Sequence, residues 1–104
     1  MKLQGYNPRE VTRDEIKSYV GPGWGKLIDE LLDDLKLLDW DGNVHQVKEK
    51  FGGLRFYIGS GSPEVHERIE QAERDSESIC EDCGAPGKIR NRPWLKTLCD
   101  ECND

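Results

Sequence analysis

The stretch Cys80-Glu81-Asp82-Cys83, followed after fifteen residues by Cys99-Asp100-Glu101-Cys102, decides how this chain is read. Written as spacing it is C-x₂-C-x₁₅-C-x₂-C, the pattern of a Cys₄ structural zinc site. Two residues between thiolates let a tight turn bring both sulfurs to one edge of a tetrahedron, and the second pair closes the opposite edge. Gly84, directly after the first pair, can take the positive φ that such a turn needs. These four are all the cysteines of the chain. Four thiolates leave no coordination position for water or substrate, so one Zn²⁺ here is expected to be structural.

Two other uses of paired cysteines fit less well. Disulfides suit a small secreted domain, but Met1-Lys2-Leu3-Gln4-Gly5-Tyr6-Asn7 has no apolar stretch of the signal-peptide kind. A redox C-x-x-C of thioredoxin type needs a βαβ setting, which nothing before Cys80 or Cys99 supplies. Reduced cysteines and no apolar run of spanning length point to a cytoplasmic protein.

At 104 residues the chain has room for one domain, and a domain this size buries roughly two-thirds of its unfolded surface. Only 35% of residues are apolar and 35% are charged, so a metal cross-link is a useful supplement to the core. The net charge of −6 is uneven: residues 1–43 carry −3, 44–58 carry +2, 59–79 carry −4 and 80–104 carry −1. The acidic total argues against generic nucleic-acid binding, while leaving room for a local basic patch in 44–58.

Working back from the cysteines, Ser62-Pro63-Glu64 opens a helix with Ser62 as N-cap and Pro63 at its first position. Val65, Ile69, Ala72, Ser76 and Ile79 form its narrow apolar stripe, which can pack within the chain or across a dimer. That helix runs almost directly into Cys80. Between the cysteine pairs, Lys88-Ile89-Arg90 and Trp94-Leu95-Lys96-Thr97-Leu98 are long enough for a small hairpin turning at Asn91-Arg92-Pro93.

Further back, Val44–Ile58 reads as a β-hairpin turning at Gly52-Gly53. This register pairs Phe51 with Leu54, Lys50 with Arg55, Glu49 with Phe56, Lys48 with Tyr57 and Val47 with Ile58. Phe51, Val47, Leu54, Phe56 and Ile58 then share the inner face, with Glu49 awkwardly among them. The outer face collects Lys48, Lys50, Arg55 and Tyr57. Before the hairpin, Trp24, Leu27, Ile28, Leu31, Leu32, Leu35 and Leu38 fall at helical spacing and are expected in the core. Asp29, Glu30, Asp33 and Asp34 lie on the opposite side of that helix, and Asp41-Gly42-Asn43 ends the segment in a turn. Thr12-Arg13-Asp14-Glu15 matches a capping box for a short helix over 13–20. Residues 1–11 are unpatterned and expected to be extended or loosely docked. Gly21-Pro22-Gly23-Trp24-Gly25-Lys26 is not a phosphate loop: its glycines are misplaced, Leu27 stands where Ser/Thr is required, and a helix precedes it. It reads as a corner between two helices.

The fold expected is therefore α+β, with two to three helices packed on a β-hairpin over residues 1–79 and a Cys₄ zinc ribbon over 80–104. The run Gln46-Val47-Lys48-Glu49-Lys50-Phe51-Gly52-Gly53-Leu54-Arg55-Phe56-Tyr57 is similar to a stretch in small, uncharacterised proteins of bacteria and their phages. So are Ala72-Glu73 and Ser78-Ile79-Cys80-Glu81-Asp82-Cys83-Gly84-Ala85-Pro86-Gly87. The resemblance runs from about Trp24 to Cys102 and implies a zinc-ribbon protein of phage or prophage type, with no established activity attached. The helix leading into Cys-x-x-Cys-Gly also resembles the C-terminal zinc finger of DksA/TraR-type RNA polymerase regulators. Those proteins place more residues between the cysteine pairs, and no hairpin interrupts their coiled coil, so polymerase regulation is an analogy only.

No enzyme is expected. The cysteines are committed to metal, His45 and His66 are isolated, and no serine or threonine has an activating base nearby in sequence. The leading expectation is a non-enzymatic, zinc-stabilised interaction protein that binds a host protein, with acidic helix faces at 29–34 and 64–77 for steering. The alternative is nucleic-acid or nucleotide-phosphate binding through Lys48, Lys50, Arg55 and Tyr57 on the hairpin, together with Arg90, Arg92 and Trp94 on the ribbon. A competing reading of the hairpin cations has them paired with the acidic helix 62–79.

Overall fold

A computed structural model describes residues 1–104. In chain order the elements are β1 (Lys2–Leu3), β2 (Arg9–Glu10), α1 (Arg13–Ser18), a 3₁₀ turn (Pro22–Trp24), α2 (Gly25–Leu37), β3 (Asn43–Lys50), β4 (Gly53–Ile58), α3 (Pro63–Ser76), β5 (Lys88–Asn91) and β6 (Leu95–Leu98). β2-β1-β3-β4 form one sheet and β5-β6 a second, antiparallel one. The fold is α+β, with a central hairpin, three helices and the four cysteines gathered at the C-terminal end.

The apolar spacing of α2 does what a 3.6-residue period requires. Leu27, Ile28, Leu31, Leu32 and Leu35 are buried and join Trp24, Ile16, Val11, the inward side chains of β3 and β4, and Val65, Ile69 and Ala72 of α3 in one cluster. The narrow stripe of α3 is therefore buried within the chain. Leu38, expected in the core, is instead 37% exposed. The helix stops before it: Asp39 turns left-handed (φ 60°), and the N–H groups of Trp40 and Asp39 donate to the Leu35 and Lys36 carbonyls at 3.1 Å. This is a Schellman stop with Asp in the usual glycine place. Asp41 Oδ1 then accepts from the Asn43 N–H at 2.9 Å, making the expected turn.

Two helix caps follow the sequence reading. Ser62 Oγ accepts from the Val65 N–H at 3.2 Å, with Pro63 opening α3. Thr12 Oγ1 accepts from the Glu15 N–H at 3.1 Å. The capping box is only half made, however, because the Glu15 carboxylate turns away to Arg9 and Tyr19. Arg9 holds that carboxyl well below the usual carboxylate range, at about 2. The first eleven residues are more firmly placed than their composition suggests. β1 lies parallel beside β3, and Lys2 N–H donates to Gly42 O at 2.8 Å and Gln4 N–H to Val44 O at 2.7 Å.

The hairpin departs from its expected register. Lys50 pairs with Gly53, Lys48 with Arg55 and Val47 with Phe56, so the two-residue turn is Phe51-Gly52 and not Gly52-Gly53. Both turn residues have positive φ, 55° and 82°, as a type I′ turn requires. Each β3 residue thus meets a partner two places earlier than expected. A slip of two preserves the faces where a slip of one would invert them. Val47, Leu54 and Phe56 accordingly stay inside, and Lys48, Lys50, Arg55 and Tyr57 stay on the other face. Phe51 does not stay inside: it sits in the turn and is 64% exposed. Glu49, the misfit of the inner face, accepts from the Gly52 N–H at 2.8 Å, and so helps hold the turn where it is.

β4 is the open edge of the larger sheet, and α3 closes it with side chains. Leu54 N–H donates to Ser76 Oγ at 2.9 Å, and Phe56 N–H donates to a Glu73 carboxylate oxygen at 3.0 Å. An exposed edge would be a template for pairing with another strand, so these two residues satisfy and shield it. Ser76 and Leu54 are both fully buried. Ser76→Ala leaves the Leu54 N–H without a partner and is expected to lower stability by about 1–3 kcal/mol. The measurement is the urea unfolding midpoint, with the slope unchanged.

Candidate metal centre

The sulfurs of Cys80, Cys83, Cys99 and Cys102 lie within 4.8 Å of one another, and all four cysteines are free. Cys83 Sγ and Cys99 Sγ are 3.7 Å apart. A tetrahedral ion with metal–sulfur bonds of ~2.3 Å has sulfur–sulfur edges of ~3.8 Å, so the donor set can hold one metal ion. Each pair sits on a tight turn. Gly84 N–H donates to Cys80 O at 3.0 Å, with Gly84 at the positive φ (86°) anticipated for it, and Asn103 N–H donates to Cys99 O at 3.1 Å. β5 and β6 form the expected hairpin between the pairs, in register from Lys88–Leu98 to Asn91–Leu95. Its turn, however, is Arg92-Pro93-Trp94 and not Asn91-Arg92-Pro93: Asn91 pairs with Leu95, and Trp94 leaves the strand.

The electrostatics favour a cation at the centre. Burial works against a Cys80 thiolate, yet backbone hydrogen bonds from Cys99, Cys83 and Asp82 outweigh it and bring the thiol down to about 6. Cys99, then Cys80 and Cys83, push the Cys102 thiol far above its ordinary range. Sulfurs packed this closely disfavour one another's ionisation until a cation compensates them.

Glu81, between the first two cysteines, ties this centre to the rest of the fold. Its N–H donates to Thr97 O at 2.9 Å, and its carboxylate accepts from the Thr97 N–H at 2.7 Å. Its carbonyl accepts from the Gly23 N–H at 2.7 Å. Glu81 is buried, and burial pushes its carboxyl above the usual range while the Thr97 N–H pulls it back. Thr97 Oγ1 in turn donates to Gly52 O at 2.6 Å, joining the ribbon to the β3–β4 turn. Trp24, fully buried, adds an indole N–H bond to Ile79 O at 2.9 Å. The corner before α2 is thus the seat of the first cysteine loop. A Cβ on Gly23 would lie 1.9 Å from Cys80 O, and one on Gly21 2.4 Å from Glu81 O.

Sequence reasoning named the four ligands and missed these supports. Gly21, Gly23, Glu81 and Thr97 carry no pattern of their own; the clustering of glycines around Pro22 and Trp24 was the one available signal.

The residues proposed for contact fall into two groups. Lys48, Lys50, Arg55 and Tyr57 share the outward face of the hairpin, with Lys48 Nζ 5.8 Å from the centre of the Tyr57 ring. None of those three cations joins any of the ion pairs of the chain, including pairs with α3. On the ribbon, Arg92 and Trp94 are exposed, whereas Arg90 is turned inward. Its guanidinium donates to Leu98 O at 3.0 Å and to Asp100 at 2.7 Å, and that arginine depresses the Asp100 carboxyl. His45 and His66 are exposed and stand apart from the cysteines. The acidic face of α2 is largely paired within the chain: Asp29 with Arg13 and Lys17, Asp33 with Arg13, and Asp34 with Arg68.

Comparison with protein-family models, with characterised proteins and with solved structures finds no match for this chain. No helix is long and apolar enough to cross a membrane.

Gly23→Ala is expected to destabilise by about 3 kcal/mol or more, because its Cβ meets backbone on both sides and nothing flexible can yield. Gly25→Ala, with only the end of Lys17 nearby at 3.9 Å, is expected to stabilise by about 0.5 kcal/mol. Thermal unfolding of the two variants, two positions apart, checks the contrast.

Proposed function

We propose that the chain is a non-enzymatic interaction module clasped by one structural zinc ion, an accessory factor of the phage or prophage kind that acts in the host cytoplasm. The observation that carries this reading is the closed set of four thiol donors. Sulfur is the ligand that selects zinc among the common divalent ions, and four sulfurs complete its tetrahedron with no site left for water or substrate. The ion's contribution is then cohesion. It joins the loop seated on Gly23 to the turn that ends β6, and so fixes the β5–β6 hairpin against the β3–β4 turn. The surface available for a partner is the side where those two hairpins present unpaired cations and exposed rings. Steering by the acidic face of α2, the route first expected toward a host protein, has less support because Arg13, Lys17 and Arg68 neutralise much of it.

Metal analysis of the purified chain is expected to give one zinc per molecule. Cys99→Ser is expected to lose the ion and, with it, amide-exchange protection over residues 80–104, while the α2–β3–β4 core remains protected. A variant that kept both metal and fold yet lost partner binding would show that the cysteines act directly and are not a clasp.

A further inference from the structure

The bond from Thr97 Oγ1 to Gly52 O sets the tip of the β3–β4 hairpin against strand β6 of the β5–β6 hairpin. Between them is an open cleft of about 560 Å³, in the ~300–1,000 Å³ range of ligand sites. Lys50 and Phe51 stand on one wall; Arg92, Pro93 and Trp94 stand on the other. Phe51 is 64% and Trp94 65% exposed. In a chain with only eight aromatic residues, two large rings turned to water beside one cleft call for an explanation. Phe51 holds its place against local preference. A type I′ turn favours Asn, Asp or Gly, and a bulky residue at φ 55° is a strained choice of the kind that collects at functional sites.

Apart from Glu49, the charged groups around the rings are basic and uncommitted. Lys50 Nζ lies 5.4 Å from the centre of the Phe51 ring, and neither Lys50 nor Arg92 belongs to an ion pair. Glu49 is the one carboxylate in the wall, and it is engaged by the Gly52 N–H. From Lys50 the outward face of β3–β4 continues through Lys48 and Tyr57, while Arg55 lines a separate cleft with Glu70, Glu73 and Glu77 of α3.

We propose that this cleft binds single-stranded nucleic acid, an inference that rests on reading the chain as an interaction module and names its ligand. Unstacked bases lie on Phe51 and Trp94, while phosphates meet Lys50 and Arg92. Exposed rings flanked by free cations are the combination that single strands select, because every base offers a π-face and every linkage a charge. A duplex hides its base faces, and a net charge of −6 gives it little general attraction.

The test uses the full-length, zinc-loaded protein with labelled oligo(dT), oligo(rU) and a duplex, read by fluorescence anisotropy from about 50 to 200 mM salt. Single strands of one or both sugars are expected to bind more tightly than the duplex; a preference for oligo(rU) assigns a contact to the 2′-hydroxyl. Trp94→Ala and Phe51→Asn, the latter keeping a residue that tolerates positive φ, are each expected to weaken binding about 5- to 100-fold. Zinc content should be unchanged in both, with the melting temperature unchanged in Trp94→Ala and unchanged or raised in Phe51→Asn, which relieves the turn. Lys50→Gln and Arg92→Gln are each expected to reduce the log–log salt slope by about 0.7. Failure of folded, zinc-loaded protein to bind any single strand at the lowest salt overturns the proposal. Binding that Trp94→Ala and Phe51→Asn leave intact overturns it too. A host protein captured by the wild type and lost with Trp94→Ala, with no oligonucleotide bound, reassigns the cleft to a protein partner. Loss of zinc stoichiometry would instead count against the clasp reading, so the two failures are distinguishable.

Discussion

Glu81 and Thr97 join the cysteine-bearing end of the chain to the rest of the fold. The two residues exchange backbone and side-chain hydrogen bonds, and each reaches onward, Glu81 O to the Gly23 N–H and Thr97 Oγ1 to Gly52 O. Four segments far apart in sequence therefore meet in a continuous chain of bonds: the glycine corner, the first cysteine loop, strand β6 and the turn of the main hairpin. A buried carboxylate is costly unless it accepts hydrogen bonds, and here the Thr97 N–H supplies one. The corner can come this close only because Gly21 and Gly23 have no side chain in the way. A metal ion held by the four sulfurs would close the same circuit from the other side.

α3 is the second constraint, and it acts at both ends. Its apolar stripe packs into the core, while Glu73 and Ser76 turn their oxygens to the N–H groups of the open strand β4. The same helix ends four residues before Cys80, so the edge it covers and the loop it delivers share one rigid support. Side-chain capping of a strand edge by a helix also prevents a second chain from adding there.

Charge is distributed in a way that separates structure from surface. The acids of α2 are matched by Arg13, Lys17 and Arg68, and Asp82 and Asp100 by Lys96 and Arg90. Such exposed pairs contribute little stability each, but they remove those groups from competition for a ligand. Lys48, Lys50 and Arg92 are left unmatched, whereas Arg55 lies among Glu70, Glu73 and Glu77 of α3. An acidic protein thus keeps a small basic surface, and the exposed rings of Phe51 and Trp94 lie beside it.

Local signals determined much of the fold. The cysteine spacing, the helical period of α2, the Ser62-Pro63 start of α3 and Gly84 all depend on residues close in sequence, and each stands where its pattern placed it. The hairpin between the cysteine pairs forms too, with its turn one residue later than expected. The faces of the main hairpin were legible too, because alternation survives a slip of two residues. The turn itself was not. Gly52-Gly53 is the better dipeptide on local grounds, but Glu49 and Thr97, bonded to either side of Gly52, select Phe51-Gly52. Likewise, nothing in residues 1–11 announces a strand until Gly42 and Val44 are beside them. The four cysteines that converge could be named from the sequence alone, since a turn and a spacing suffice to bring four sulfurs together. The seat of the first cysteine loop on Gly23 and the placing of Phe51 and Trp94 beside one cleft were decided by tertiary structure, because each depends on hydrogen bonds between segments that no local pattern connects.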